Sequence, residues 1–360
     1  MISNQTLSNC IREITEISKK EMAIVDSIGV VTAVSGDSVK IDKDLISSFM
    51  ESDAMIQECL GYTYVKIYDE DEPAYTLVIE GGEESILVGK LAAAQIRNLV
   101  IAYKEKVDRD SFFQNLLLEN MLTVDIYNKS KKLHIKTDTK RCVYVIEPVG
   151  KREAGMMEIV KELFYAQNGD FVTSVDDNHI VVIKSIEDTD PDAIEETARI
   201  IVDMVGAEVM QSVKVAYGNI VDDIKSVPKS YKEAMMSLDV GKIFYIEKAI
   251  IAYNSLGIGR LIYQLPINLC ELYVKEIFGE EVPSDIDDEM LNTVNKFFEN
   301  NLNVSETSRQ LCMHRNTLLY RIEKVQRATG LDIRVFDDAL ALKIALMVVN
   351  YIKYIEEKDN

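Results

Sequence analysis

Apolar positions at Leu7, Ile11, Ile14 and Ile17 recur with a helical period and predict a helix over residues 4–20. The next stretch, "MAIVDSIGVVTAVSG", reads as two strands around a turn at Ser27-Ile28-Gly29, followed by a helical middle near 44–59. "TYVKIYDE", "AYTLVIE" and "SILVGKL" predict three antiparallel strands. Helix, paired strands, helix and three strands is the order of a small α/β sensor module of the PAS or GAF sort. Such modules hold small ligands between sheet and helices, and the pattern here names none. From Leu91 a long helix is expected, with Leu91, Ile96, Leu99, Tyr103 and Val107 as its stripe. "DSFFQNLLLENMLTVDIYNKSKKLHI" then continues as two further helices. This segment is either a signalling stalk or dimer seam, or a core helix packed on its own sheet. The sensor and its linker helices are assigned to residues 1–125.

The middle region, 126–255, reads as a strand "KRCVYVIEP", a helix over 153–166, and a hairpin of "DFVTSV" and "HIVVIK" through Asp176-Asp177-Asn178. A helix over 190–205, a strand "SVKVAYGNI" and a helix "SYKEAMMSLDVGK" with Tyr231, Ala234, Met235 and Leu238 inward complete it. Strand, helix, hairpin, helix, strand, helix is the order of nucleotide-cyclase-like and ferredoxin-like sheets. Beyond Pro266 the pattern is helical, at 267–278, 287–301, a pair over 304–327, and 337–356. The acidic turn "GEEVPSDIDDE" at 279–289 marks the expected boundary before the last domain, within a helical region assigned to 256–360. The fold class is therefore α+β multidomain, with a PAS/GAF-like sensor, a cyclase-like α/β middle and an all-α C-terminal domain.

The helix pair carries the chemistry. Asn303 can cap the first helix, with Glu306 placed to reach back as a capping box. Val304 and Leu311 point inward, while Thr307 and Ser308 are small enough for a second helix to cross closely. Cys312-Met313-His314 is a turn, with Met313 filling the angle between the helices. In the second helix Leu318, Ile322 and Val325 form the buried stripe, which places Thr317, Tyr320, Arg321 and Lys324 on the solvent face. Arg315 and Asn316 stand at its N-terminus, where free N–H groups and the helix dipole favour phosphate oxygens. A helix so arranged fits the major groove and presents its N-terminal residues to base edges. Arg can bridge guanine O6 and N7, and Asn adenine N6 and N7. Arg315 is the first candidate for base contact, then Asn316, Tyr320 and Arg321, while His314, Thr317, Lys324 and Arg309 are better placed for phosphates. The core of this helix-turn-helix is 303–327.

Charge first argues the other way, because the chain carries a formal net charge of -20. Between Arg309 and Arg334, however, six cations meet two acids, so that segment is +4 and the remainder -24. A basic island on an acidic body suits a DNA-binding domain attached to an acidic sensor. The five cysteines, Cys10, Cys59, Cys142, Cys270 and Cys312, are scattered and form no CxxC pair, as expected of reduced thiols in a cytoplasmic protein. No secretory signal or membrane span is indicated by the pattern.

"EGGEES" at 80–85 superficially matches a GGDEF or GGEEF cyclase signature, but it lies in the first module and Ser85 stands where Phe is needed. The equivalent middle hairpin, "SVDDNHI", holds no glycine. A GG pair between two strands is more simply a turn requiring positive φ. GxxxxGK[ST], HExxH and GxSxG are absent, and the three histidines are far apart in sequence. Nothing here gives a positive reason to read the chain as an enzyme, and no metal or cofactor is implied.

"NVSETSRQLCMHRNTLLYRIEKVQRATGLDIRVFDDALALKIAL" resembles the C-terminal helix-turn-helix of the purine-catabolism regulator (PucR) and carbohydrate-diacid regulator (CdaR) families. "HRNTLLYRIEKV" and "TGLDIRVFDDALALKIAL" follow that signature almost position by position. Glu306-Thr307-Ser308 stands where relatives often carry alanines. The middle region, including "SYKEAMMSLDVGKIF", is similar to the degenerate GGDEF-like domain of these regulators, which implies a regulatory, non-catalytic role. The first 125 residues resemble the family's sugar-diacid recognition domain only in layout. Arg12, Arg97 and Arg109, the only arginines before residue 141, offer no convergent pair for two carboxylates.

Together these readings predict an effector-responsive, sequence-specific transcriptional regulator, cytoplasmic, acting on double-stranded operator DNA as a homodimer or higher even oligomer and without a membrane. Its pairing is expected near 90–120 or in the helices after 256. The alternatives are a nucleotide-binding or cyclase-like signalling protein, and an adaptor whose terminal helices bind protein.

Overall fold

The computed structural model describes residues 2–69, 72–165, 169–279 and 287–359. They form two compact units, one ending at Phe113 and the other beginning at Gln114.

The first unit is a five-stranded antiparallel sheet in the order β2-β1-β5-β4-β3. Its strands are β1 (Met22–Asp26), β2 (Val31–Val34), β3 (Ile56–Cys59), β4 (Tyr62–Asp69) and β5 (Glu72–Glu80). Side chains alternate across the sheet. Ile24, Val65, Ile67, Leu77 and Ile79 face helices α1 (Asn4–Ser18) and α3 (Ser85–Leu117), where Leu7, Ile11, Ala92 and Ile96 close the core. Val25, Tyr64 and Val78 face α2 (Lys43–Glu51) through Ile46 and Phe49.

Two sequence expectations are corrected here. The helical middle ends at Glu51, and 56–59 is strand β3, joined to β4 by a two-residue hairpin at Leu60-Gly61 with φ of 51° and 83°. Both central residues of such a primed turn need positive φ. "SILVGKL" is the first two turns of α3 rather than a strand. Ser85, Gly89, Ala92 and Ile96 are buried at i, i+4, i+7 and i+11, a helical period that a short apolar run conceals. Of the expected stripe, Ile96 is fully buried and Leu99 packs against the core, whereas Leu91 is 64% exposed and Tyr103 and Val107 are also exposed. Gly81-Gly82 joins β5 to α3. Gly82 has φ of 114°, and a Cβ on Gly81 would stand 2.5 Å from the Gly61 carbonyl oxygen.

α3 runs 33 residues, absorbing the first of the two helices expected after it, before α4 (Thr123–Lys132). It contains an 18-residue window apolar enough, by length and composition, to cross a membrane, which the sequence pattern did not single out. Lys90 and Arg97 interrupt its apolar run.

The second unit is built on a sheet in the order β10-β9-β6-β8-β7, with β10 parallel to β9 and the other pairs antiparallel. Its strands are β6 (Arg141–Pro148), β7 (Phe171–Ser174), β8 (Ile180–Ser185), β9 (Val213–Tyr217) and β10 (Ile250–Ala252). The short β10 escaped the sequence reading. Cys142, Tyr144, Ile146, Ile180 and Val182 pack under α5 (Met156–Tyr165) and α6 (Pro191–Val209). On the other face α7 (Val227–Phe244) lies so close that a Cβ on Gly218 would stand 2.1 Å from the Ser230 carbonyl oxygen. Ser230 Oγ fixes the approach, accepting from Val143 N–H and donating to Asn219 O. Of the inward residues expected on α7, Tyr231, Ala234 and Leu238 are buried and Met235 is half-buried.

Among the described residues the unit is completed by the helices α8 (Ile258–Tyr263), α9 (Ile267–Phe278), α10 (Asp288–Glu299), α11 (Val304–Gln310), α12 (Arg315–Thr329) and α13 (Phe336–Asp359). They enclose two cores. One joins Ile243 of α7 to Ile262, Cys270, Val348 and Tyr351. The other gathers Met290, Val294 and Phe297 of α10 with Leu318, Ile322 and Val325 of α12 and with Ala339 and Leu342 of α13. The acidic turn proposed as a boundary falls largely on 280–286, outside the described residues.

Candidate nucleic-acid interface

Asn303 caps α11, its side chain accepting from Glu306 N–H at 3.1 Å. Only this half of the capping box forms. The Glu306 carboxylate turns instead to Arg309 and Gln310, and Asn303 N–H donates to Asn300 O. Thr307 is fully buried and donates to Asn303 O at 2.8 Å, leaving no bulk where α12 crosses.

The turn ends α11 in a Schellman arrangement. Met313 N–H donates to Ser308 O and Cys312 N–H to Arg309 O, with Cys312 left-handed at φ 50°. Met313 then packs against the helical core, as its position in the turn predicts. His314 caps α12: its Nδ1 accepts from Asn316 N–H at 3.2 Å, which puts the proton of a neutral ring on Nε2 and leaves that N–H able to donate. Leu318, Ile322 and Val325 are buried as expected. Gly330, at φ 77°, ends the helix, and Asp338 accepts from Asp332 N–H to fold the "TGLD" turn onto α13.

With the stripe inward, Arg315, Asn316 and Thr317 stand exposed on the first turn of α12. Arg315 makes no ion pair among the described residues. Tyr320 is 60% exposed, and the Arg327 guanidinium lies 5.9 Å from its ring centre. Arg327 is an exposed cation that the sequence reading counted but did not select; its spacing of seven from Tyr320, two turns along one face, was the available signal. Lys324 is half-buried further along the helix.

Arg321 corrects the sequence assignment. Its side chain is 19% exposed and turns onto α10, where Nη1 donates to Thr293 Oγ1 at 2.8 Å and Nη2 pairs with Glu289. At about 100° per residue it lies only some 60° from Leu318, on the shoulder of the buried stripe rather than opposite it. Arg309 is exposed but held by Glu306, Nη2 to Oε1 at 2.6 Å. The hydrogen bond from that guanidinium keeps the Glu306 carboxyl below its ordinary value and raises the arginine in turn. Arg334 is likewise engaged by Asp332. Three of the six cations in the basic segment, Arg309, Arg321 and Arg334, are thus paired with acids.

Two family profiles match within this second unit: "PucR C-terminal helix-turn-helix domain" over residues 290–348 and "GGDEF-like domain" over residues 119–240. The second unit carries a PucR-type helix-turn-helix domain and a GGDEF-like domain. The PucR-type helix-turn-helix match spans the helical core from Met290 in α10 to Val348 in α13. Among curated relatives, the purine catabolism regulatory protein of Bacillus subtilis is 27% identical over 143 residues, 39% of this chain and 27% of that protein. The carbohydrate diacid regulator of Escherichia coli is 24% identical over 280 residues, 74% of this chain and 72% of that protein. The DNA-binding transcriptional activator AdeR of B. subtilis is 22% identical over 278 residues, 70% and 63% respectively. The match to the first of these relatives therefore covers well under two thirds of its length.

Proposed function

We propose that the chain is a sequence-specific, DNA-binding transcriptional regulator that acts in the cytoplasm on double-stranded operator DNA. The observation that carries this is the exposed first turn of α12, with Arg315, Asn316 and Thr317 outward and the Leu318, Ile322, Val325 stripe anchored below. Arg315 and Asn316 read base edges, supported by Tyr320. Thr317, His314 through Nε2–H, Lys324, Arg327 and, on giving up Glu306, Arg309 hold phosphates. Arg321 sets the angle of α12 on α10 and is left out of the contacting set.

The reading divides the chain into a PAS/GAF-like sensor with linker helices (1–125), a degenerate GGDEF-like regulatory domain (126–255) and the helical DNA-binding region (256–360). A small-molecule effector in the sensor shifts the equilibrium between DNA-competent and DNA-incompetent forms. One reading helix covers too few base pairs to mark a genomic site, so the regulator works as a homodimer or higher even oligomer on a two-fold operator. The named activities of the curated relatives support regulation rather than catalysis.

Selection of bound fragments from genomic DNA by the purified chain tests this. Specific fragments should be recovered, and Arg315→Ala should weaken them by about 5- to 150-fold, the ~1–3 kcal/mol of one bidentate base contact, while leaving random duplex binding nearly unchanged. Light scattering on the same complexes should weigh an even number of chains per site. Failure to enrich any sequence, or equal loss on specific and random DNA, sinks the reading.

A further inference from the structure

We propose that a cavity in the GGDEF-like domain, between the end of β6, the β7–β8 turn and α7, binds a small oxyanion, the phosphate or carboxylate group of a low-molecular-weight effector. The cavity measures about 350 Å³ and is lined by Glu147, Val149, Gly150, Asn178, Lys214 and Lys242. That is the lower end of the range for small-ligand sites, roughly 300–1,000 Å³. No part of the DNA-reading surface contributes to it.

Its charge is assembled in one chain of contacts. Asp176 Oδ2 meets His179 Nδ1 at 2.7 Å, His179 Nε2 lies 3.3 Å from Glu147 Oε1, and the same oxygen receives Lys242 Nζ at 2.7 Å. His179 and Glu147 are largely buried, so the cluster is fixed by packing rather than by mobile surface side chains. Hydrogen bonds donated to Glu147 and Asp176 favour the imidazolium. Two lysines, Lys214 and Lys242, and one carboxylate, Glu147, line the cavity, a local excess of +1 on a body of net charge -20. Lys214 Nζ is aimed by its bond to Ile246 O at 3.0 Å, and one Nζ can donate further bonds. Asn178 also lines the cavity, and its side-chain amide, which makes no hydrogen bond among the described residues, is a neutral donor. Two ammonium groups and an amide lining one small cavity are the chemistry that recognises a single oxyanion.

The site also has a route to the reading head. Lys242 lies one turn after Asp239 on α7, and Asp239 accepts from Tyr354 of α13, the helix whose other end packs in the core of the DNA-binding domain. An anion that draws Lys242 from Glu147 acts on the helix that carries this joint. Regulation through the middle domain would follow, in addition to any effector of the sensor.

The test uses the full chain and no DNA, so its failure leaves the Arg315 experiment standing. Sodium phosphate and sodium acetate are titrated separately at constant ionic strength while the melting temperature is followed. A saturable rise with one or both anions is expected, phosphate alone indicating a phosphoryl effector and acetate alone a carboxylate one. Lys214→Ala, and the nearly isosteric Asn178→Asp that adds a negative charge on another element, should each raise the half-saturating concentration at least about fivefold. A response that never saturates, or one identical in all three proteins, overturns the site.

Discussion

At the scale of single residues, two arginines six positions apart on α12 have opposite fates. Arg315 precedes the buried stripe and stands in solvent, whereas Arg321 lies on the shoulder of the stripe and is taken up by Thr293 and Glu289. Arg321→Ala is therefore expected to lower stability by about 1 kcal/mol, the net worth of a partly buried charged hydrogen bond, read as a lower melting temperature. Its preference for specific over random DNA, measured well below the melting point, should survive; loss of that preference with unchanged stability would return Arg321 to the reading face. His179 makes a prediction in pH. Pairing with Glu147 raises its pKa above 6.5, so its contribution is complete below about 6.5 and fades as pH rises through the folded value. Burial works to raise Glu147 and Asp176, but hydrogen bonds from their cationic partners leave them below 4.5 and 3.8, so theirs is present above those values and fades as pH falls through the lowered ones. His179→Gln should thus cost most between about pH 4.5 and 6.5 and distinctly less at pH 8, by thermal denaturation across that range. A cost independent of pH would show that the ring acts by packing alone.

At the scale of elements, the turn between α11 and α12 places a cysteine where helices most often end in glycine. Cys312 holds φ at 50°, and its N–H and that of its neighbour Met313 make the two bonds of the Schellman closure, to Arg309 O and Ser308 O. A left-handed residue with a Cβ costs roughly 1–2 kcal/mol, and glycine does not. Cys312→Gly should therefore raise the melting temperature modestly, and a fall would mean that the exposed thiol makes a contact that outweighs the strain. The same reasoning explains where elements were misread. Leu60-Gly61 is a primed hairpin turn whose first residue lacks the usual Asn or Asp signal, so β3 was merged into the preceding helix. "SILVGKL" is apolar enough for either structure, and only its contacts with Val65 and Ile79, which a Cβ on Gly89 would crowd, fix it as helix.

At the scale of the second unit, α13 is the shared member. Ala339 and Leu342 belong to the core around α12, while Val348 and Tyr351 belong to the core around α7, α8 and α9. Asp239 of α7 accepts from both Tyr263 and Tyr354, and Tyr351 donates to Tyr263 O. Asp239→Ala removes the acceptor for two half-buried phenols and should cost about 1–3 kcal/mol. Hydrogen exchange should quicken in 344–355 while amides of 318–325 keep their protection. Uniform loss of protection across both segments would show one cooperative block with no separable joint.

The sequence by itself determined the helix-turn-helix. The Leu318, Ile322, Val325 stripe, the Asn303 cap and the basic excess near α12 are local quantities, set by periodicity and by the nearest few residues. It also determined the strand and helix order of the middle domain up to α7, short of β10, because alternation and helical period differ strongly there. Only the tertiary structure decided which cations stay available, since the partners of Arg321 lie about 30 positions away on another helix and no spacing rule anticipates them. It likewise decided that α13 serves two cores and that Asp176, His179, Glu147 and Lys242 form one chain of contacts, with Glu147 and Lys242 lining a cavity. Those contacts join residues up to 95 positions apart, where burial and packing, not local propensity, choose the neighbours.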